Sequence, residues 1–386
     1  MKTENPFLDL LARKARKNRE SYWDVEPFVT RLSNINNNIY ASLWFKTNGC
    51  SHDKRGGCTI CDYSNGISIS TQDMVDSVAL GLTTIPKGCE ELLISPSGSM
   101  FDSKEVPDSV RQKIFSLLDK SDSRKIAIET RADTITYDKI KETQNILKGR
   151  LSKVYIGLET SNLWLLKYCI NKNLDLNQMI NSYNLLQANN IISASNIFLG
   201  IPFLSEKENI QETLSSIKWS FSNGSDIISL FPAHIKKATI GEVLFKLEIY
   251  SSPSLWSLIE VLRQLEQEIY ENKIEINWYT SMGAYNVISS PYTCSKCYSK
   301  VIEILDKFSQ SNDFNYILML DEIKCECKNI WRDKLEKNNS LNLYERVING
   351  YQQLSEYLFN RNWFDFHFDR LINMKIEYDI NYTMKP

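Results

Sequence analysis

The sequence predicts an α/β fold: a partial (β/α)6 barrel of TIM type, followed by a small, mainly helical, cysteine-rich module. Three observations predict it. Between residues 39 and 231, six short apolar runs alternate with amphipathic stretches, the pattern of parallel strands crossed by outer helices. That alternation takes roughly 200 residues, short of the ~250 of an eight-unit barrel, so the barrel is open. From about residue 282 the pattern switches to Cys-x2-Cys, a helix, Cys-x-Cys and an aromatic-rich tail.

The 386 residues divide on this reading into a helical extension (1–36), the barrel (37–281) and the terminal module (282–386). Phe7, Leu8, Leu10 and Leu11 line one side of a helix over 7–20. Arg13, Lys14, Arg16, Lys17 and Arg19 follow them and read as its solvated face. The strands are IYASLWFK (39–46), ELLIS (91–95), KIAIE (125–129), KVYIGLE (153–159), IISASNIFLG (191–200) and IISLF (227–231). Helices are expected behind each, the first two at 71–85 and near 106–120, and another near 298–310 in the module. The tail aromatics, ending EYLFNRNWFDFHF, read as packing against the barrel.

Forty-five basic against 47 acidic residues give a formal charge of −2, which provides no bulk attraction for a polyanion and leaves only a local patch for one. No apolar run approaches the ~20 residues that span a bilayer, and the first residues lack the apolar centre of a secretory signal. A cytoplasmic location without a membrane partner is expected. Seven of the nine cysteines fall in two groups, and in a reducing compartment clustered thiols point to metal before disulfides. Cys89 and Cys169 stand apart and read as packed core thiols.

Cys50, Cys58 and Cys61 lie on one loop just after the first strand, at the end of a parallel β/α array where functional residues gather. A closed zinc site wants four ligands, and His52, inside the loop, is poorly spaced to be the fourth. Three thiolates can instead hold an iron–sulfur cubane with one iron left free. In the module, Cys294, Cys297, Cys325 and Cys327 supply four. Tetrahedral zinc is the simplest expectation there, and an auxiliary cluster has the same ligand count.

On these three loop cysteines the chain resembles the radical S-adenosylmethionine (SAM) enzymes, in which three cysteines bind a 4Fe–4S cluster and SAM chelates the fourth iron. The spacing here is C-x7-C-x2-C rather than the usual C-x3-C-x2-C. The resemblance implies further SAM contacts. SPSGSMFD would place Gly98 and a hydroxyl of Ser97 or Ser99 near the SAM amino group. IETRAD is similar to the ETRPD of the Elongator-type branch, which implies Arg131 as a fork for the SAM carboxylate and Glu129 as an acceptor from its ammonium or ribose. A structural ion pair is the alternative for both. Glu159 and Asn196 would meet the ribose or methionine, and Gly200, Ile201 and Pro202 the adenine.

Longer blocks, among them TNGCSHDKRGGCTICDYS, IGLETSNLWLLKYCINKNL, GIPFLSEKENIQET and CSKC…CECKNIW, resemble the archaeosine-forming tRNA radical SAM enzymes over roughly residues 30 to 335. That likeness implies a lyase acting on a tRNA-borne 7-deazaguanine adduct. SSPSLWS and SSPYTC depart from the family's proline pair and Gly-Pro-His-Asn run, on stretches expected to face the substrate. A tailoring enzyme of a small-molecule pathway therefore stays open, as does, remotely, a zinc-stabilised RNA-binding protein. Lys172, His234, Lys236, Lys237, Tyr285 and Asn286 are the candidate contacts to a nucleoside, tRNA or small-molecule substrate. An electron donor such as a flavodoxin or ferredoxin is implied as partner.

Overall fold

The structure is a computed structural model that describes residues 4–17, 27–35, 37–63, 69–265, 273–281, 286–337 and 339–382. Helix α1 (Pro6–Ala15) is capped by the Asn5 side chain, which accepts from the amides of Phe7 and Leu8. A hairpin opens the sheet, β1 (Phe28–Ile35) running antiparallel to β2 (Asn38–Phe45). The sequence reading missed β1, whose exposed stretch Leu32–Asn34 breaks the apolar run expected of a barrel strand.

Parallel pairing continues in chain order through β3 (Glu91–Pro96), β4 (Lys125–Thr130), β5 (Leu151–Glu159), β6 (Ile192–Leu199) and β7 (Ile227–Pro232). These and β2 are the six predicted strands. Each is followed by helix: α2 (Thr71–Leu82), α3 (Asp108–Asp119), α4 (Tyr137–Ile146), then α5 (Leu163–Leu165), widening into a π turn over Leu166–Ile170, and α6 (Leu176–Gln187). Helix α7 (Glu206–Ser222) follows β6, and α8 (Ile240–Lys246) and α9 (Leu255–Gln264) follow β7. A two-residue strand, β8 (Ile235–Lys236), precedes α8, and β9 (Ile274–Ile276) joins the far edge beside β7. Strand order runs β1 to β7 and ends at β9, so the sheet is a curled half-barrel with two open edges.

Apolar side chains pack between sheet and helices, as in β6, where all residues but Ile192 are buried. The inner face is polar and layered. Deep in the barrel, Lys153 bridges Glu91 at 3.0 Å and Glu275 at 2.9 Å, and the Tyr155 hydroxyl donates to Glu275 at 2.7 Å.

Strand β10 (Val287–Ser289) pairs with β8 and leads into α10 (Tyr298–Ser311), α11 (Asn315–Asp321) and α12 (Glu326–Glu336). Helices α13 (Leu343–Leu358), α14 (Trp363–His367) and α15 (Met374–Tyr382) follow. The tail aromatics pack within the protein only in part, since Tyr357, Phe366 and Phe368 are exposed. Phe7 of α1 stacks on Tyr351 at 5.3 Å and meets Trp363 at 5.2 Å, while Trp164 packs on Tyr378 at 5.2 Å and donates its indole N–H to the Met374 carbonyl. Cys89 and Cys169 are fully buried in the core. Among the described residues no helix is long and apolar enough to cross a membrane.

Candidate active site at the barrel mouth

The loop after β2 is fixed before its first cysteine. The Thr47 amide donates to Ser97 Oγ at 2.8 Å, and its hydroxyl donates to the Ser97 carbonyl and accepts from the Gly49 amide, each at 3.0 Å. A helical turn then carries Cys50, whose carbonyl accepts from the Lys54 amide at 3.2 Å. Past Gly57 the loop crosses the mouth. The Thr59 amide donates to the Ile170 carbonyl at 2.8 Å, and the Thr59 carbonyl accepts from Gly241 at 2.8 Å. The segments after β2, β5 and β7 are thereby tied together over the strand ends.

Cys50, Cys58 and Cys61 are half-buried, and none is joined in a disulfide. Cys58 lies within electrostatic reach of Lys172, Cys61 and Cys50. Burial pushes the Cys50 thiol up to about 11 and Cys61 to about 12, so these sulfurs stay protonated unless cations meet them. The His52 ring nitrogen Nε2 faces the Asn171 carbonyl at 2.6 Å, and among the described residues the only side chains gathered closely enough for a single ion are the four cysteines of the terminal module.

Glu105 anchors the loop, and sequence reasoning missed it. Fully buried, it accepts the Ser51 and Ser99 amides, each at 2.6 Å, and pairs with Arg131 at 2.5 Å. Gly98 makes this possible, because a Cβ there would run into the Glu105 carboxylate. Arg131 also donates to Asp102 at 2.5 Å and to Asp133 at 3.1 Å.

This geometry bears on two sequence expectations. Every nitrogen of the Arg131 fork is taken by a protein carboxylate, the structural ion pair that the sequence offered as the alternative to a SAM contact. Ser97 and Ser99 are fully buried, with Ser97 Oγ accepting from Thr47 and Ser99 Oγ bonded to Thr130 and the Arg131 amide. Burial raises the Asp102 carboxyl, but its bonds from Arg131, Lys104 and Ser51 hold it down to about 2.

Inside the mouth, Glu129 accepts from Ser95 at 2.7 Å and from Asn196 Nδ2 at 3.0 Å. Burial and the nearby Glu159 push its carboxyl up, against the Ser95 bond. Asn196 Oδ1 is buried with no hydrogen-bond partner among the described residues. Lys172 reaches in from the turn after α5 to pair with Glu159 at 2.8 Å, and Gly157 leaves the room for it, since a Cβ there would stand 2.7 Å from its Nζ. Burial lowers the Lys172 ammonium, but Glu159 and Cys58 raise it more. Glu159 ends β5 with a φ of +67°, a conformation rare for a side-chain-bearing residue and sustained here by that ion pair.

Next to Cys61, Asp62 takes Lys236 at 2.9 Å and the Asn286 amide, while Lys236 lies 5.7 Å from the Tyr63 ring centre. His234 faces Ser290 at 3.1 Å and the Trp278 carbonyl. Lys237 contributes its amide to the Asn286 carbonyl at 2.9 Å. Of the candidate substrate contacts, Lys172, Lys236 and Asn286 thus converge on the cysteine loop, and Tyr285 lies outside the described residues. Asp62 and Tyr63 were missed, although their place directly after Cys61 was a usable signal. Gly200 and Ile201 donate their amides to Asn209, and the Gly200 carbonyl accepts from Tyr250, so that turn's backbone, with buried Pro202, is tied to the outer helices.

The second cysteine group is different. Cys294, Cys297, Cys325 and Cys327 have ligand atoms all within 4.8 Å of one another, with successive sulfur separations of 3.4 to 3.6 Å. A single tetrahedral ion with ~2.3 Å bonds to sulfur sets such edges at ~3.8 Å. The thiolates of a cubane sit on separate irons and stand further apart. The Trp256 indole N–H donates to Cys327 Sγ at 3.3 Å and Trp331 to Ser257 at 2.9 Å, which fastens α12 to barrel helix α9.

An open parallel β/α barrel with three half-buried cysteines at its mouth defines the class of a radical SAM enzyme. The chain belongs to the radical SAM superfamily. It is 30% identical over 312 residues to an uncharacterized protein of Methanocaldococcus jannaschii, an alignment covering 77% of this chain and 82% of that one. Archaeosine synthase subunit beta of Methanosarcina acetivorans is 28% identical over 297 residues, covering 76% and 84%. No family model matches. Among solved structures, a queuine lyase from Clostridium spiroforme bound to SAM and queuine superposes with a TM-score of 0.46 and 17% identity, over 66% of this chain and 96% of that one.

Proposed function

We propose that this chain binds a 4Fe–4S cluster through Cys50, Cys58 and Cys61 and acts as a lyase on a nucleoside-type substrate, a 7-deazaguanine adduct carried by tRNA. The observation that carries the cluster assignment is the convergence of three thiols outside any disulfide with Lys172 at the barrel mouth. When bound, the cluster and SAM supply a 5′-deoxyadenosyl radical that abstracts a substrate hydrogen. The chain's own residues hold and orient. The orphaned Asn196 Oδ1 offers a buried acceptor to a donor group of SAM, and Glu129 and Glu159 line the same interior. Gly98 supplies backbone beside Cys50, where the serine-flanked turn would approach SAM. Gly200, Ile201 and Pro202 offer the adenine an apolar wall and no free backbone group at Gly200.

Lys236, Lys237, His234, Asn286 and Tyr285 are proposed for the substrate side, with Asp62 positioning Lys236 and Asn286 beside Cys61. The tRNA reading is supported by the likeness to archaeosine synthase subunit beta. The departures at SSPSLWS and SSPYTC favour a second reading, a small-molecule tailoring enzyme with the same cofactor chemistry. The four-cysteine site is proposed to hold structural zinc, on its sulfur spacing. A cytoplasmic location goes with these assignments.

Anaerobic turnover with a reductant, tested against a tRNA pool and a metabolite extract and read by mass spectrometry, separates the two substrates. A tRNA enzyme also retains tRNA on a filter with a steep salt slope, and a small-molecule enzyme retains none. Failure to form 5′-deoxyadenosine with either pool contradicts the radical reading.

A further inference from the structure

The first cysteine interval is seven residues long where the superfamily commonly has three, and the extra length is folded and not merely spanned. Its turn presents Lys54 and Arg55 to solvent. Helix α1 lies against the same turn. Arg16 donates to the Lys54 carbonyl at 2.9 Å and pairs with Asp53 at 3.5 Å, and a Cβ on Gly56 would strike Asp9. The exposed Arg13 and Lys17, one helical turn apart, extend the cationic surface along this edge. The acids of the stretch are used internally. Asp53 is buried beside Arg16, and Asp9 accepts from Asn171 at 2.9 Å. A chain with a net charge of −2 thus carries a positive face on the outer side of the loop that holds the thiols.

We propose that this face, formed by Arg13, Lys17, Lys54 and Arg55, is the docking surface for the electron donor, a small acidic one-electron carrier of the flavodoxin or ferredoxin type. The inference rests on the reading that the loop holds a redox cluster. One electron leaves the reduced carrier and reduces the oxidised cluster, with no bond made or broken at the interface. Position favours a carrier over tRNA. The Lys54 amide bonds to the Cys50 carbonyl, so a single turn of backbone separates the surface from the first ligand. The stretches RKARK (13–17) and CSHDKRGG (50–57) hold no Phe, Tyr or Trp on which an unpaired base could stack, and the ring of His52 is turned onto the Asn171 carbonyl. Charge complementarity of this kind acts mainly on encounter and on salt dependence.

The test measures binding of labelled flavodoxin by fluorescence anisotropy, to metal-free and to reconstituted protein, at about 50 and about 150 mM ionic strength. Wild type binds both forms and weakens with salt. The Arg13→Glu/Lys17→Glu/Lys54→Glu/Arg55→Glu variant binds about tenfold or more weakly, with a flattened salt response. Its yield of 5′-deoxyadenosine with dithionite, a small reductant that needs no docking, equals that of wild type. A milder Lys54→Gln/Arg55→Gln variant loses about threefold, which separates charge from misfolding. Unchanged flavodoxin binding overturns the proposal, and so does loss of tRNA retention with flavodoxin binding intact. A wild type that yields no 5′-deoxyadenosine with dithionite overturns the proposed reaction instead, since docking is read from binding alone.

Discussion

The sulfurs of Cys294, Cys297, Cys325 and Cys327 close on one point, whereas Cys50, Cys58 and Cys61 are spread along a loop between segments that follow three different strands. The closed group has four like ligands and is fastened by Trp256 and Trp331 to barrel helix α9. The open group has three, lies over the polar interior, and is held from outside by Glu105 and Arg131. On the proposed reading the same side chain serves a staple in one place and a reactive centre in the other. What differs is closure: a shell with no vacancy stabilises, and a shell one ligand short can bind a substrate.

The largest effect should come from the open group. Cys58→Ala is expected to lower 5′-deoxyadenosine formation at least ~1000-fold, below detection, with zinc content and the far-UV circular dichroism unchanged. Cys327→Ser should do the converse. It empties the second site in metal analysis and costs on the order of 3 kcal/mol or more in stability, while the iron bound at the first site is retained.

Glu105→Gln probes the support of the open loop. It leaves Arg131 short of a charge and the Ser51 and Ser99 amides with a weaker acceptor, for a loss of ~2–3 kcal/mol in denaturant unfolding and a lower iron content after reconstitution. The smallest effect concerns pH. Asp102 is held to about 2 against an ordinary aspartate value of ~4, so its contribution is complete above that ordinary value and is lost as pH falls through about 2. Urea unfolding of the metal-free protein between those limits should therefore fall less steeply for Arg131→Leu than for wild type.

Much of this contrast was legible in the sequence because it rests on local signals. The six barrel strands are apolar runs with turns between them, and both cysteine groups are short spacings. The parts not legible are long-range. Glu105 sits in a loop with no motif, and only the fold brings it beneath Ser51, fifty-four residues earlier in the chain. For Arg131 the sequence motif left a SAM contact and a structural ion pair both open, and only the fold shows which carboxylates, Asp102 and Glu105, reach it across the β3 loop. Strand β1 escaped because its middle is exposed, and β9 because it has three residues.

The central claim is that the open group carries a cluster with a free iron that receives SAM. Electron paramagnetic resonance of the anaerobically reduced protein, recorded with and without SAM, tests it most directly. The account predicts a spectrum that changes when SAM is added, persists in Cys327→Ser and is absent in Cys58→Ala. A spectrum indifferent to SAM, or one lost in Cys327→Ser and kept in Cys58→Ala, contradicts it.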